Sequence, residues 1–204
     1  MGSKMRHILT GEIDALNLFL EDNLLWRVYH ADTCARPNRY LADYLKILTT
    51  QRRNLRILEI GAGTGGTTRH LFDTCSPNGE VFCSEYVYTD ISPGFFETAR
   101  TSTLKEWADM LTFQTLDLEK DLIKQGFGEN SFDFIVAANV VHATRSLNSS
   151  LSSLRRLLKP GGQLGLVEVT KVTPFLNMTF GSIDGWWAGM CTPLLTPSLG
   201  LYTC

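Results

Sequence analysis

The residues with the clearest chemical meaning lie in a glycine-rich stretch between positions 55 and 66. It reads Leu-Arg-Ile-Leu-Glu-Ile-Gly-Ala-Gly-Thr-Gly-Gly. The apolar half predicts a buried strand, and the glycines permit a tight turn close to a ligand. From Thr67 onwards the apolar residues recur at helical spacing. A strand, a glycine turn and the free N–H groups of a helix N-terminus together form a nucleotide pocket.

Two classes of ligand use such a turn. Gly61, Gly63 and Gly66 fit the dinucleotide pattern G-x-G-x-x-G. Glu59 followed by Gly61, Gly63 and Gly65 fits E-x-G-x-G-x-G equally well, and S-adenosylmethionine (SAM) methyltransferases carry that pattern. The glycines alone therefore leave the choice between a dinucleotide and SAM open.

The elements that must position this turn follow from short apolar segments later in the chain. They predict strands at residues 86–90, 110–117, 132–139 and 163–170, with helices at 95–105 and about 149–158, the last ending at Lys159-Pro-Gly-Gly162. Strands that alternate with helices predict right-handed crossovers. The expected fold is therefore α/β, a Rossmann-like, doubly wound and mostly parallel sheet covered on both faces.

Polar side chains stand at or near the ends of all five predicted strands. They are Glu59, Asp90, Asp117, Asn139 with His142, and Glu168. A single strand-end Asp is usually a helix cap or a solvated loop residue. Ligands of open parallel sheets bind outside the carboxyl ends of the strands, so five such groups on one rim favour a polar ligand site.

The carboxylates at this rim distinguish the two ligand classes. Asp90 could accept hydrogen bonds from a ribose diol in either case. Asp117 could accept from an adenine amino group, and Glu59 could assist the charged methionyl end directly or through water. A dinucleotide makes no use of Asp117 or Glu59, and a carboxylate near its diphosphate would repel it. The acidic rim therefore favours a cationic sulfonium cofactor, SAM.

Composition limits the remaining classes of function. The 204 residues suffice for one domain with a sizeable core, and 44% hydrophobic with 20% charged residues is ordinary for a globular protein. A net charge of −2 without a basic cluster disfavours a nucleic-acid partner. No membrane span or signal peptide is evident. Five scattered cysteines without a C-x-x-C pair predict reduced thiols, no metal site and a cytoplasmic protein.

The first 50 residues predict a helical leader, either a lid over the site or a cover packed on the sheet. Asp14 is a possible cap, and Pro37-Asn38 is expected to break the leader into two helices. The predicted organisation is a leader at 1–50, a SAM-binding core at 51–190 and an irregular tail at 191–204.

Five segments resemble the C-methyltransferase domains of fungal reducing polyketide synthases, and the resemblance covers about residues 8–190. The glycine motif and Leu-Lys-Pro-Gly-Gly are common to many class I methyltransferases, whereas Asp-Ile-Ser-x-Gly-Phe-Phe-Glu with Ala-Asn-Val-x-His-Ala-Thr is much more specific. The segments are 59–68, 88–97, 137–144, 157–162 and 180–187.

The resemblance implies methyl transfer from SAM to the α-carbon of a β-ketoacyl thioester presented by an acyl carrier protein. It implies a catalytic dyad of His142 and Glu168, in which the carboxylate orients the imidazole as general base. Taken alone, His142 could be a core or capping histidine and Glu168 a solvated strand end. Asn139 could orient the cofactor or a substrate carbonyl, or cap the next helix. Trp186 and Trp187 could line an acyl pocket or pack on the sheet.

The C-terminal residues leave further alternatives open. Positions 190–200 are proline-rich, so the antiparallel hairpin that completes such sheets is expected to be incomplete or absent. The exposed edge of the fifth strand would then favour self-association or a partner. The alternatives to C-methylation are a small-molecule O- or N-methyltransferase, a truncated non-catalytic interaction subunit and, more distantly, an NAD-linked oxidoreductase.

Overall fold

The computed structural model describes residues 2–21, 32–169, 173–183 and 186–187. The leader residues Leu24, Trp26 and Tyr29, and the tail at 191–204 with its expected missing hairpin, lie outside the described residues. The division into leader, core and tail stays a prediction. No helix within the described ranges is long and apolar enough to cross a membrane.

In the described part of the chain, five parallel strands form the sheet, as predicted. They are β1 (Arg56–Ile60), β2 (Glu85–Asp90), β3 (Leu111–Thr115), β4 (Phe132–Ala138) and β5 (Leu158–Val167), and their spatial order is β3-β2-β1-β4-β5. Ile57 of β1 lies beside Tyr86 on one side and Phe134 on the other. The strand order reverses at β1, so the glycine turn that follows β1 lies at the switch point where such sheets bind ligands.

Helices of the described residues precede, connect and follow the strands and cover both faces of the sheet. They are α1 (Met5–Leu9), α2 (Ala15–Glu21), α3 (Asp32–Gln51), α4 (Gly66–Cys75), α5 (Gly94–Thr98), α6 (Leu147–Leu157) and α7 (Pro174–Phe180). The helix expected at 95–105 starts at Gly94 and passes into a π-helical turn at Ala99–Thr103. Short 3₁₀ turns occupy Gly2–Lys4, Lys105–Met110 and Val141–Ala143.

Two apolar clusters hold the layers together. On one face α3 and α4 pack on the sheet, and the ring of Phe72 lies 5.0 Å from that of Tyr86 and 5.6 Å from that of Trp107. On the other face α6 contributes Leu154 and Leu157, both fully buried. Because both faces are covered, β4 is apolar except for Asp133, as expected for a buried parallel strand, whereas Arg56 and Glu59 interrupt the apolar residues of β1.

The expected break at Pro37 is wrong, because Pro37 lies inside α3. A proline within a helix forfeits one backbone hydrogen bond and crowds the preceding turn. Burial of Leu41, Ala42 and Leu45 against the sheet offsets this cost. The expected cap of the preceding helix is confirmed, since Asp14 Oδ1 accepts the N–H of Asn17 at 2.9 Å.

The segment Lys159-Pro-Gly-Gly162 does more than end a helix, since β5 already begins at Leu158. Pairing of β4 with β5 is irregular between Phe132 and Phe134. An irregular position on an edge strand tolerates a proline that cannot donate to the ladder. Asp133 holds this segment at the amino end of the sheet by accepting from Lys159 Nζ at 2.7 Å and from an Arg52 guanidinium nitrogen at 3.2 Å.

Candidate active site

A cavity of about 320 Å³ opens at the carboxyl ends of the strands. Its volume lies at the lower end of the range of ligand pockets, roughly 300–1,000 Å³. Five of the residues predicted from the sequence line it, namely Gly61, Gly63, Asp90, Asp117 and Asn139. The other four, Glu59, Gly65, His142 and Glu168, are not part of its wall but lie beneath or beside it.

The glycine turn adopts a backbone conformation that residues with side chains rarely adopt. Gly61, Gly63 and Gly65 have φ angles of 59°, 54° and 79°. A Cβ on Gly61 would lie 2.4 Å from Val140 Cγ2, so this position also permits close packing against the loop after β4. Gly65 caps the start of α4, where a Cβ would lie 3.1 Å from Leu104 Cδ1. Gly65 therefore shapes the turn without lining the cavity.

Hydrogen bonds to β2 fix the turn in place. Asp90 Oδ2 accepts the N–H of Gly63 at 2.9 Å, and Asp90 Oδ1 accepts the N–H of Ser92 at 2.9 Å. The Tyr88 hydroxyl donates to the Gly63 carbonyl at 2.7 Å. Burial raises the pKa of Asp90 above its ordinary value, opposed by these backbone N–H groups. Asp90 therefore organises the turn and also presents a carboxylate to the cavity.

Glu59 lies beneath the turn and is 1% exposed. Its Oε2 accepts from Thr68 Oγ1 at 2.7 Å and from the Tyr86 hydroxyl at 2.5 Å. Burial raises the pKa of Glu59 to about 7, against the effect of these hydrogen bonds. The sequence suggested that Glu59 contacts the ligand directly, but the structure directs its carboxylate to Thr68 and Tyr86. A contact through water stays a prediction.

The cavity wall is acidic. Among the described residues that line it, the charged side chains are Asp90, Asp117 and Glu119, and none is Lys or Arg. Asp117 accepts from Lys120 Nζ at 2.9 Å, and this hydrogen bond lowers the pKa of Asp117. An acidic wall attracts a cation and opposes a diphosphate. The electrostatics thus favour a sulfonium cofactor over a dinucleotide.

Asn139 reaches the cavity from the end of β4. Its φ angle of 55° is in the left-handed region, which Asn tolerates better than most residues. Its N–H donates to the Val167 carbonyl at 2.7 Å and so ties the ends of β4 and β5 together. The alternative role as cap of the next helix belongs instead to Ser146, whose Oγ accepts the N–H of Ser149 at 3.3 Å.

His142 and Glu168 form a hydrogen-bonded pair beside the cavity. Oε2 of Glu168 bonds Nδ1 of His142, and Oε1 accepts the N–H groups of Val140 at 3.1 Å and Val141 at 2.7 Å. The side chains are 18% and 20% exposed. The carboxylate therefore fixes both the imidazole and the turn that carries it, and Nε2 of His142 is the ring nitrogen left for chemistry.

An aromatic stack, Phe19–Phe180–Trp186, leads to His142. The indole of Trp186 meets the imidazole of His142 edge-on, with ring centroids 6.0 Å apart. Trp186 stacks on Phe180 at 5.5 Å, and Phe180 on Phe19 of α2 at 5.7 Å. Trp187 instead donates its indole N–H to the Gly181 carbonyl at 2.8 Å. The two tryptophans thus have separate environments.

Asn38 is a cavity residue that the sequence interpretation missed as a site residue. It comes from α3 and lines the cavity. The available signal was a polar residue at the same helical spacing as the buried Leu41 and Leu45. In the described part of the chain, no group of three or more His, Cys, Asp or Glu side chains could hold a metal ion.

A parallel sheet with a glycine turn at its switch point and an acidic cavity defines a cofactor-binding α/β domain of the methyltransferase class. The chain belongs to the family described as "Methyltransferase domain", whose model matches residues 58–164. The predicted fold and enzyme class are thereby confirmed.

The chain matches short segments of much larger proteins. The chain is 46% identical to the highly reducing polyketide synthase ltbA of Aspergillus luteorubrus and 44% identical to AFT9-1 of Alternaria alternata. These matches cover 92% and 97% of this chain but 6% and 7% of the relatives. The predicted resemblance to these synthases is confirmed.

Solved structures give the same assignment. The DszA carbon methyltransferase has a TM-score of 0.84 at 34% identity, covering 97% of this chain and 53% of its own. The trans-methyltransferase CalH, solved in complex with SAH, has a TM-score of 0.82 at 34% identity, with 93% and 52% covered. The CMeT domain of the citrinin polyketide synthase has a TM-score of 0.81 at 33% identity, with 92% and 50% covered. This chain thus spans about half the length of these solved chains.

Proposed function

We propose that this chain transfers a methyl group from SAM to the α-carbon of a β-ketoacyl thioester carried by an acyl carrier protein. The His142–Glu168 pair beside an acidic cofactor cavity is the single observation that carries this proposal. The names of the relatives support it, since they are polyketide synthases and carbon methyltransferases.

The residues of the cavity fit SAM. Asp90 has a buried carboxylate suited to a ribose diol, and Asp117 stands further along the wall as an acceptor for the adenine amino group. Gly61 and Gly63 let the backbone approach the ligand without side chains. When bound, SAM supplies an electrophilic methyl group on a sulfonium. The described residues of the cavity wall include no Lys or Arg, which suits that positive charge.

His142 acts as the general base. Glu168 engages Nδ1, so Nε2 accepts the α-proton, which two flanking carbonyls make acidic. The carboxylate stabilises the imidazolium that forms and keeps the ring from rotating. Because Oε1 of Glu168 is held by two backbone N–H groups, the pair has a fixed position relative to the cavity.

The proposal is tested with SAM and a β-ketoacyl N-acetylcysteamine thioester as acceptor. We expect the product to gain one methyl group, placed on the α-carbon by NMR. In deuterated buffer without SAM, His142 should also accelerate exchange of the α-protons above the buffer rate. His142→Gln should lose both reactions and keep SAM binding by calorimetry. A methyl group on oxygen or nitrogen, or full activity in His142→Gln, would refute the proposal.

A further inference from the structure

Asn38 combines burial with an unpartnered polar atom. It is 4% exposed, and its Oδ1 has no hydrogen-bond donor in the described part of the chain. A buried carbonyl oxygen without a donor is destabilising, so such atoms are rare in folded proteins. Asn38 also lines the cofactor cavity. The missing donor is therefore one that a ligand can bring.

The position of α3 indicates which part of the ligand is close to Asn38. Tyr44 of α3 donates to Gln163 Oε1 of β5 at 2.9 Å, and Leu41 of α3 lies over Gly165 of β5. Strand β5 is at the opposite edge of the sheet from β3, after which Asp117 stands. Asn38 therefore belongs to a helix that packs over the β5 side of the sheet, whereas the proposed adenine acceptor follows β3 at the other edge.

The chemistry of the two ends of SAM makes the assignment specific. The adenosine end is matched by Asp90 and Asp117, whereas the methionyl end carries an α-ammonium group that needs acceptors. Glu59 lies beneath the turn with Thr68 and Tyr86 and does not line the cavity. An amide oxygen in the cavity wall is a suitable acceptor for an ammonium group.

We propose that Asn38 is a cofactor-binding residue, whose side-chain oxygen accepts a hydrogen bond from the α-ammonium group of the methionyl part of SAM. This inference rests on the proposed function, since it requires SAM as the cofactor. It makes the N-terminal helix α3 part of the cofactor site, in addition to its packing on the sheet.

The test compares two neutral thioethers that share the adenosine end. S-adenosylhomocysteine carries the amino-acid end and 5′-methylthioadenosine does not. Asn38→Leu keeps the approximate volume of the side chain and removes the acceptor. We expect calorimetry to show a loss of about 10- to 100-fold in affinity for S-adenosylhomocysteine, as for a hydrogen bond to a charged group, with unchanged affinity for 5′-methylthioadenosine. The melting temperature of the ligand-free variant should be unchanged or higher.

Two further variants make the result decisive. Asn38→Asp keeps an acceptor oxygen and should retain affinity for S-adenosylhomocysteine. Asp117→Ala should weaken both ligands to the same degree, because it acts on the adenine. An equal loss of both ligands in Asn38→Leu, or no loss of either, would overturn the inference while leaving the proposed function intact. A wild-type protein that binds neither S-adenosylhomocysteine nor SAM would overturn both.

Discussion

The carboxylate of Glu168 bonds the imidazole of His142 through one oxygen and the backbone N–H groups of Val140 and Val141 through the other. Glu168 follows β5, and His142 lies in the 3₁₀ turn after β4, so the pair joins the ends of two neighbouring strands. A carboxylate bound in this way leaves the imidazole little freedom to turn. The pair is thus positioned before any substrate arrives.

Glu168→Gln should remove the negative charge of the side chain while keeping its size and shape. The amide keeps one oxygen for the N–H groups of Val140 and Val141, but its NH₂ group would donate to Nδ1 of His142 and force the proton onto Nε2. We expect kcat for methyl transfer to fall by about 10²- to 10⁴-fold. SAM affinity, measured by calorimetry, should stay unchanged. A variant with kcat within twofold of the wild type would contradict the proposed role.

Trp186→Leu should affect the reactivity of His142. The edge-on contact at 6.0 Å restricts the movement of the imidazole. An aromatic contact of this kind contributes about 1 kcal/mol, so we expect a two- to tenfold lower rate of α-proton exchange, roughly as that energy implies. Trp186→Phe should recover most of the rate.

Trp187→Leu is the matched control for Trp186. Trp187 is the adjacent residue, is 44% exposed and bonds the Gly181 carbonyl instead of approaching His142. The exchange rate of Trp187→Leu should equal that of the wild type. Equal losses in the two leucine variants would indicate a general effect on the C-terminal segment and would exclude a specific role of Trp186.

Glu59→Gln should remove a pH dependence of stability. The pKa of Glu59 is raised to about 7 by burial, so the folded state binds its proton more tightly than the unfolded state. The stability that Glu59 contributes through its proton is fully present below its pKa in the unfolded chain, near 4.5, and is lost as the pH rises towards 7. The shift corresponds to about 3 kcal/mol of unfolding free energy.

Glutamine keeps an oxygen for the hydroxyl groups of Thr68 and Tyr86 but does not ionise. Urea unfolding at pH 5 and pH 8 should therefore show Glu59→Gln gaining stability relative to the wild type at the higher pH. The same difference between variant and wild type at both pH values would mean that Glu59 titrates normally in the folded protein.

Substitutions in the glycine turn should separate folding from ligand binding. Gly63→Ala places a methyl group in the cavity, where the nearest atoms are about as far as ordinary contact, 3.9 Å and 4.0 Å. Only its φ of 54° is unfavourable for alanine, so we expect the free energy of unfolding to fall by about 1–2 kcal/mol. The added methyl group occupies space that the ligand needs, so we expect SAM to bind at least about tenfold more weakly, roughly the loss of one hydrogen bond.

Gly61→Ala adds a clash with Val140 to the same backbone cost, so it should destabilise by about 2–4 kcal/mol in urea unfolding. Gly11→Ala is the control, because Gly11 has a φ of 74° and no atom lies within 4 Å of the added Cβ. Its loss of stability gives the backbone cost alone. A Gly61→Ala variant no less stable than Gly11→Ala would show that the turn is free to move away from Val140.

The sheet was predictable because its signals are local. The apolar runs of β1 and β4, the glycines after β1 and the polar residues at strand ends are all visible in short segments. The two departures have physical causes that are not local. Pro37 stays within α3 because Leu41 and Leu45 are buried by tertiary packing, and β5 starts at Leu158 because Asp133 holds Lys159.

The site, like the fold, has some features that the local sequence fixes and others that depend on tertiary packing. The sequence by itself determined the glycine turn and the acidic rim, because residue type and strand-end position suffice to identify them, whereas the pair of His142 and Glu168 was singled out by the resemblance to polyketide C-methyltransferase domains. Only the tertiary structure decided that Glu59 and Gly65 lie outside the cavity wall and that Asn38 lies in it. The direction of a side chain, and the lack of a donor for a buried oxygen among the described residues, depend on elements distant in sequence, which no local pattern records.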